Sequence, residues 1–188
     1  MEGLPATHPA VESLPVDSVS PALMLQGMAL SCMIWPSKES LGQRVERRRK
    51  EVRQDTEVMS RIVWHFIREG DSIIAMARTF RRVVAEASGR RFPVLALAGV
   101  CTHPEHRGRG LGRAVVMAAW SRVDPELPVC FFQTGVPAFY ERMGARTIPN
   151  RIYNSMGTRR AFWDPHAMIY PAAATWPEEA IDLLGLGW

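Results

Sequence analysis

The stretch "CTHPEHRGRGLGRAVVMAAW" (Cys101–Trp120) decides how this chain is read. Glycines at positions 108, 110 and 112 alternate with bulkier residues, arginines stand at 107, 109 and 113, and an apolar run follows at once. The run "AVVMAAW" is apolar on most faces, as expected of a helix lying against a sheet, so the glycines precede a helix N-terminus. Backbone N–H groups there lack intrahelical partners and carry the positive end of the helix dipole. Glycine lets such a backbone approach an anion closely and take a positive φ where a side chain would clash. The arginines add charge. Arg107 to Gly112 therefore reads as a loop that holds a pyrophosphate, against the plainer reading of a tight strand–helix turn with solvated arginines.

Spacing excludes the two commonest nucleotide loops. Gly108, Gly110 and Gly112 give G-x-G-x-G where a dinucleotide fingerprint needs G-x-G-x-x-G. A P-loop needs Gly-Lys-Ser/Thr, and this stretch has no lysine.

Working outward, Phe92–Thr102 is nearly all apolar and reads as the buried central strand of a sheet, with Gly99 marking a bulge or a close backbone approach. Before it, Ile62–Arg68 and Ser72–Glu86 flank the turn "EGD" and predict an antiparallel hairpin. After the loop, Gly112–Arg122 predicts a helix and "LPVCFFQ" (Leu127–Gln133) a strand parallel to the central one. "VPAFYERM" predicts a short helix ended by Gly144, with further strands over Ala145–Ile148, Arg151–Ser155 and Ala167–Tyr170. Towards the N-terminus, Ala10–Val16 suits a first strand. "SPALMLQGMALSCMIW" suits a helix with Ser20 as cap and Pro21 at its first position, and its Met-rich surface reads as core packing. Ser37 can cap a second helix over Lys38–Arg53.

With 188 residues the chain suits one domain spanning 1–188, with 1–9 a loose N-terminus. Its composition is 47% hydrophobic and 22% charged, that of an ordinary soluble protein. No apolar run has the length needed to cross a bilayer, and the N-terminus lacks the basic start and apolar core of a signal peptide. Cys32, Cys101 and Cys130 are widely spaced in apolar stretches, so buried free thiols in a reducing cytoplasm are expected, and no metal site. The formal charge of +4 concentrates in "GQRVERRRKEVR" (Gly42–Arg53). Glu46 and Glu51 interleave these charges and no aromatic residue stands among them to stack on bases, so a solvated helix face is favoured over a nucleic-acid site.

"RGRGLG" (Arg107–Gly112) matches the Arg/Gln-x-x-Gly-x-Gly/Ala signature of the GNAT superfamily of N-acetyltransferases, and the wider "VCTHPEHRGRGLGRAVV" resembles the strand–loop–helix around it. "VPAFYERMGA" (Val136–Ala145) resembles the family's second landmark, a Phe-Tyr pair four residues before a helix-ending glycine. The two stand at the family's usual separation, and the resemblance covers roughly residues 62–145. It implies an α/β protein with the acyl-CoA N-acyltransferase fold: a mixed sheet, flanked by helices, whose central parallel strands splay apart to admit acetyl-CoA. The pantetheine arm would pair with the backbone of Val100, Cys101 and Thr102. The pyrophosphate would rest on the amides of Arg107, Gly108, Arg109, Gly110, Leu111 and Gly112.

The same resemblance implies direct attack of a neutral amine on the thioester, through a tetrahedral intermediate. Tyr140 matches the tyrosine that protonates the departing sulfur in many relatives, the structural alternative being a tyrosine packed under the cofactor. A neutral alkylamine costs about 4–5 kcal/mol to form at neutral pH. "PVLALAGVCTH" carries no carboxylate to accept that proton; His65, Glu86 and His103 are the candidates, a water chain is another route, and the base stays unassigned. The acceptor is expected to be a small-molecule amine. The C-terminal stretch, with Asp164, Asp182 and the closing Trp188, loosely resembles aminoglycoside 2'-N-acetyltransferases, against the plainer reading that Trp163, Trp176 and Trp188 pack. A protein N-terminus or lysine as acceptor, and a non-catalytic CoA-binding module, are the alternatives. The exposed hairpin edge and Met-rich first helix leave a homodimer open.

Overall fold

The computed structural model describes residues 10–36, 38–44, 46, 62–153 and 166–185. Its elements in chain order are β1 (Glu12–Pro15), α1 (Pro21–Ile34), β2 (Val63–Glu69), β3 (Ser72–Glu86), β4 (Arg91–Thr102), α2 (Leu111–Trp120), β5 (Cys130–Thr134), α3 (Pro137–Glu141), β6 (Arg146–Ile148), β7 (Ile152–Tyr153), β8 (His166–Tyr170) and β9 (Ile181–Asp182). Contacts group the chain into two compact units, one of Met1–Arg78 with Gly99–Ala119 and one of Thr79–Ala98 with Trp120–Trp188. The long strands β3 and β4 contribute residues to both.

In the first unit the strands follow the order β1-β2-β3-β4. β1 pairs antiparallel with β2, Leu14 opposite Trp64. The β2–β3 turn is made by Gly70 and Asp71, and Gly70 takes φ +58°, which explains its place there. α1 begins as its sequence predicts: Ser20 Oγ accepts from the Leu23 N–H at 3.2 Å and Pro21 occupies the first turn. Residues 41–44 and 46 are helical, opened by Ser40 rather than Ser37, which lies outside the described residues. Ser40 Oγ accepts from Gln43 N–H at 3.2 Å, and Gln43 Oε1 accepts from Ser40 N–H at 2.7 Å, a reciprocal capping box. Most of the expected helix over Lys38–Arg53, including its arginine run, also lies outside the described residues.

In the second unit the order is β3-β4-β5-β8-β6, with β9 joined to β3 and to β7. β4 and β5 are parallel, Leu95 opposite Cys130 and Ala96 opposite Phe131, as a β-α-β crossover through α2 requires. β8 runs antiparallel to both β5 and β6. Val94 to Ala98 of β4 are all buried, both faces covered as the apolar sequence implies. A core of Val84, Val94, Val129, Phe131, Ile148, Ile169 and Ile181 forms around them, with Trp176 packed against it.

The structure departs from the sequence reading at the end of α2, at the start of β5 and in one added strand. α2 ends at Trp120, and Arg122 beyond it donates to Thr79 Oγ1 at 2.7 Å. β5 begins at Cys130 because Asp124 Oδ1 takes the N–H groups of Glu126 and Leu127 at 2.8 Å, which holds the preceding segment in a turn. β9 was not expected; its residues pair with Ala85–Glu86 of β3 and Ile152–Tyr153 of β7.

Candidate active site

β4 ends at Thr102, and the chain enters the glycine loop through a single 3₁₀ turn, Pro104–His106. His103 builds that turn. Its N–H donates to the Ile74 carbonyl at 2.8 Å, and its Nδ1 accepts from the Glu105 N–H at 3.3 Å. With His103 N–H directed at β3, strand alternation directs the backbone groups of Val100 and Thr102 to the opposite edge of β4. Among the described residues of the first unit, that edge carries no further strand.

Gly108 and Gly110 take φ +77° and +74°. A residue with a Cβ strains in this left-handed region, so the alternation of glycine is a backbone requirement. Among the described residues, its two chain neighbours aside, no atom lies within 4 Å of the position a Gly108 Cβ would take, leaving the loop backbone open on that side. Gly110 C=O accepts the first helical bond, from Ala114 N–H at 3.0 Å, so the amides of Leu111, Gly112 and Arg113 face outward at the N-terminus of α2. Below them α2 is anchored by buried Leu111, Val115, Val116, Ala119 and Trp120, a single apolar stripe. An open glycine backbone, a rigidly seated helix N-terminus and arginines fit a pyrophosphate, and the residues present therefore fit coenzyme A.

The three arginines are not equivalent. Arg107 and Arg113 are exposed and make no ion pair among the described residues. Arg109 instead donates through both terminal nitrogens to Glu69 Oε1, at 3.3 Å each, and through Nη1 to His106 Nδ1 at 2.6 Å. Neither Glu69 nor His106 stood among the expected site residues. The i, i+3 spacing of His106 and Arg109 is a local signal for one of them; Glu69 is 40 positions from its partner and carries none.

Of the expected cofactor residues, Val100, Cys101, Thr102 and Arg107–Gly112 all fall in the first unit, on one continuous strand–turn–helix segment. Gly99 takes φ +60°, and a Cβ there would lie 2.8 Å from an Arg78 guanidinium nitrogen, so the group that approaches it is a side chain rather than backbone. The Cys101 thiol is buried, and burial pushes its pKa up to about 12 against the smaller opposing pulls of Arg78 and a Ser31 hydrogen bond. It is a packing residue, neutral at physiological pH.

Tyr140 falls in the second unit, on α3, and is buried at 5% exposure. Its ring stands 4.7 Å from Phe132, 4.9 Å edge-on from Phe139 and 6.3 Å from Trp120, centroid to centroid. Trp120 itself stacks on Tyr170 at 3.8 Å and 6°. This aromatic nest fixes the phenol ring, which is what a positioned proton donor needs. The base candidates separate by partner. His65 is 1% exposed with Nδ1 bonded to Ser13 Oγ at 2.8 Å, a satisfied core residue. Glu86 pairs with Arg90 at the β3–β4 turn, and His103 is committed to its cap. Asp182 Oδ1 accepts from Leu184 N–H, and Trp176 packs edge-on against Phe92; Trp163, Asp164 and Trp188 lie outside the described residues.

Comparison with known proteins identifies the family and the fold. A family profile described as an acetyltransferase (GNAT) domain matches residues 23–148. Among solved structures, a GNAT family N-acetyltransferase (YhbS) from Escherichia coli in complex with CoA is similar with a TM-score of 0.59 and 16% identity, over 98% of this chain and 94% of that one. An acyl-CoA N-acyltransferase from Pseudomonas aeruginosa matches with a TM-score of 0.58 and 11% identity, over 85% and 97%. A GCN5-related N-acetyltransferase from Kribbella flavida matches with a TM-score of 0.56 and 20% identity over 74% of this chain, which spans only 33% of that protein. No curated protein matches in sequence. Among the described residues, no helix is long and apolar enough to cross a membrane.

Proposed function

Because the chain belongs to the GNAT acetyltransferase family, we propose that it transfers an acetyl group from acetyl-CoA to a primary amine of a small molecule. The observation that carries this reading is the loop itself: left-handed Gly108 and Gly110 open onto the N-terminus of α2, with Arg107 and Arg113 free of ion pairs among the described residues. Acetyl-CoA, when bound, supplies an activated acetyl thioester. The amides of Arg107 to Gly112 hold its pyrophosphate, where the helix dipole and hydrogen-bond donors act together. The outward backbone groups of Val100 and Thr102 pair with the pantetheine arm, and Cys101 fixes that strand from below by packing.

Tyr140 donates the proton that the departing sulfur needs. A phenol of pKa about 10 gives up a proton to a thiolate whose acid lies near 8.5 only with help from its surroundings, so the ring must be held in place. Phe132, Phe139 and Trp120 hold it. Since His65, Glu86 and His103 each have another partner, the amine loses its proton to water or enters neutral.

Asp182 already caps Leu184 N–H, so a polycationic aminoglycoside is one acceptor class among several. The deciding experiment follows CoA release from acetyl-CoA with aminoglycosides, polyamines, arylamines, amino acids and short peptides. Saturable release with one small amine class supports the proposal. Release with peptides alone makes the acceptor a protein, and silence across the panel with acetyl-CoA bound makes the chain a non-catalytic CoA-binding module.

A further inference from the structure

We propose that Glu69 and His106 are positioning residues that hold Arg109 as a brace of the phosphate loop, so that Arg109 is not itself a phosphate ligand. The inference rests on the reading of Arg107–Gly112 as the seat of coenzyme A and names what keeps that seat in shape.

Arg109 is flanked by Gly108 and Gly110, both at positive φ. Glycine has the largest backbone freedom to lose on ordering, so a loop of this composition stays preformed only if something else restrains it. Between the two glycines the only side chain is that of Arg109. Its Nη1 and Nη2 both reach Glu69 Oε1 at 3.3 Å, and Nη1 reaches His106 Nδ1 at 2.6 Å. A guanidinium has donors and no acceptor, so His106 Nδ1 is the acceptor in this contact. Glu69 Oε2 stands 3.7 Å from the same nitrogen, beyond hydrogen-bond reach, which leaves Arg109 as the bridge between the two.

The placement of Glu69 follows from β2. Arg68 forms a fork with Glu12, through Nε at 2.7 Å and Nη2 at 3.0 Å, and Glu69, the last strand residue before Gly70, meets the loop. The Arg109 charge is thereby balanced by a carboxylate, whereas Arg107 and Arg113 keep theirs for an anion. Ordering the loop in advance strengthens binding by lowering the entropy lost when the ligand arrives.

The two roles open to Arg109 give opposite signs when Glu69 is removed. Were Arg109 a phosphate ligand restrained by Glu69, losing the carboxylate would free it and CoA would bind more tightly. As a brace, losing either partner loosens the loop and weakens binding, and losing both weakens it no further. A partly exposed ion pair of this kind corresponds to at most about fivefold in affinity.

The test is calorimetric titration of the full chain with CoA, for the wild type, E69A, E69Q, R109A and the E69A/R109A double variant. The expected result is weaker binding, by up to about fivefold, for E69A, E69Q and R109A, with the double variant no weaker than R109A alone. E69Q keeps the shape and tests the charge if E69A does not fold. Unchanged or tighter binding in the Glu69 variants, or a double variant that loses the product of the single effects, overturns the brace while leaving the CoA seat intact. A wild type that does not bind CoA overturns the seat itself and the brace with it.

Discussion

Gly27, in the middle of α1, lies against the indole of Trp64 so closely that a methyl group on it would overlap the ring. Glycine inside a helix costs about 1 kcal/mol relative to alanine, so contact rather than propensity keeps it there. Gly27→Ala is therefore expected to destabilise the protein by about 1–3 kcal/mol, overpacking outweighing the gain in helix propensity. Urea unfolding of the two proteins measures it; a more stable variant would show that α1 can shift off Trp64 freely.

Buried thiols give a pH dependence with a definite sign. Cys101 is held neutral up to about pH 12, and Cys130 is pushed up further by complete burial, against a weaker pull from the Trp120 indole. Both folded-state values exceed the unfolded thiol value near 8.5, so their contribution is complete below that pH and is lost as pH rises towards the folded values. The loss approaches about 1.4 kcal/mol per pH unit for each thiol. Denaturation midpoints at pH 7.5, 9 and 10 should be flat and then fall, and Cys130→Ala should make the fall shallower.

The same burial predicts reactivity. Of the three cysteines only Cys32 is partly exposed, so a thiol reagent at pH 7.5 should titrate one group rapidly in the native protein and all of them in denaturant. Rapid reaction of two or more groups in the native state would contradict the packing at Cys101 or Cys130.

Tyr140→Phe keeps the ring among Phe132, Phe139 and Trp120 and removes only the hydroxyl. Turnover should fall by about 10²-fold with acetyl-CoA affinity retained, the signature of a lost general acid. Full turnover in this variant would reduce Tyr140 to a packing residue.

Legibility in the sequence followed the range of the interaction. The glycine loop, the β2–β3 turn at Gly70 and the Ser20 cap are local, carried by residues a few positions apart, and each stands where the sequence places it. The Ser40–Gln43 box is equally local and was open to reading in "SLGQ" as Ser-x-x-Gln. β9 is different: Ile181–Asp182 is too short to show alternation and exists because Ala85 and Ile152 offer it partners from far along the chain. The Glu69–Arg109 pair belongs to the same class, which is why the loop's arginines read as three equal phosphate ligands before the fold separated them.

The account stands on the claim that Gly108 and Gly110 shape a seat for coenzyme A. Calorimetric titration with acetyl-CoA, comparing the wild type with Gly110→Val and with Gly89→Val, tests it most directly. All of these glycines take positive φ, Gly110 at +74° in the loop and Gly89 at +87° in the β3–β4 turn, so the two variants impose similar backbone strain at different places. The account predicts saturable binding by the wild type and Gly89→Val, and at least about tenfold weaker binding by Gly110→Val. No binding by the wild type, or equal binding by all three proteins, would contradict it.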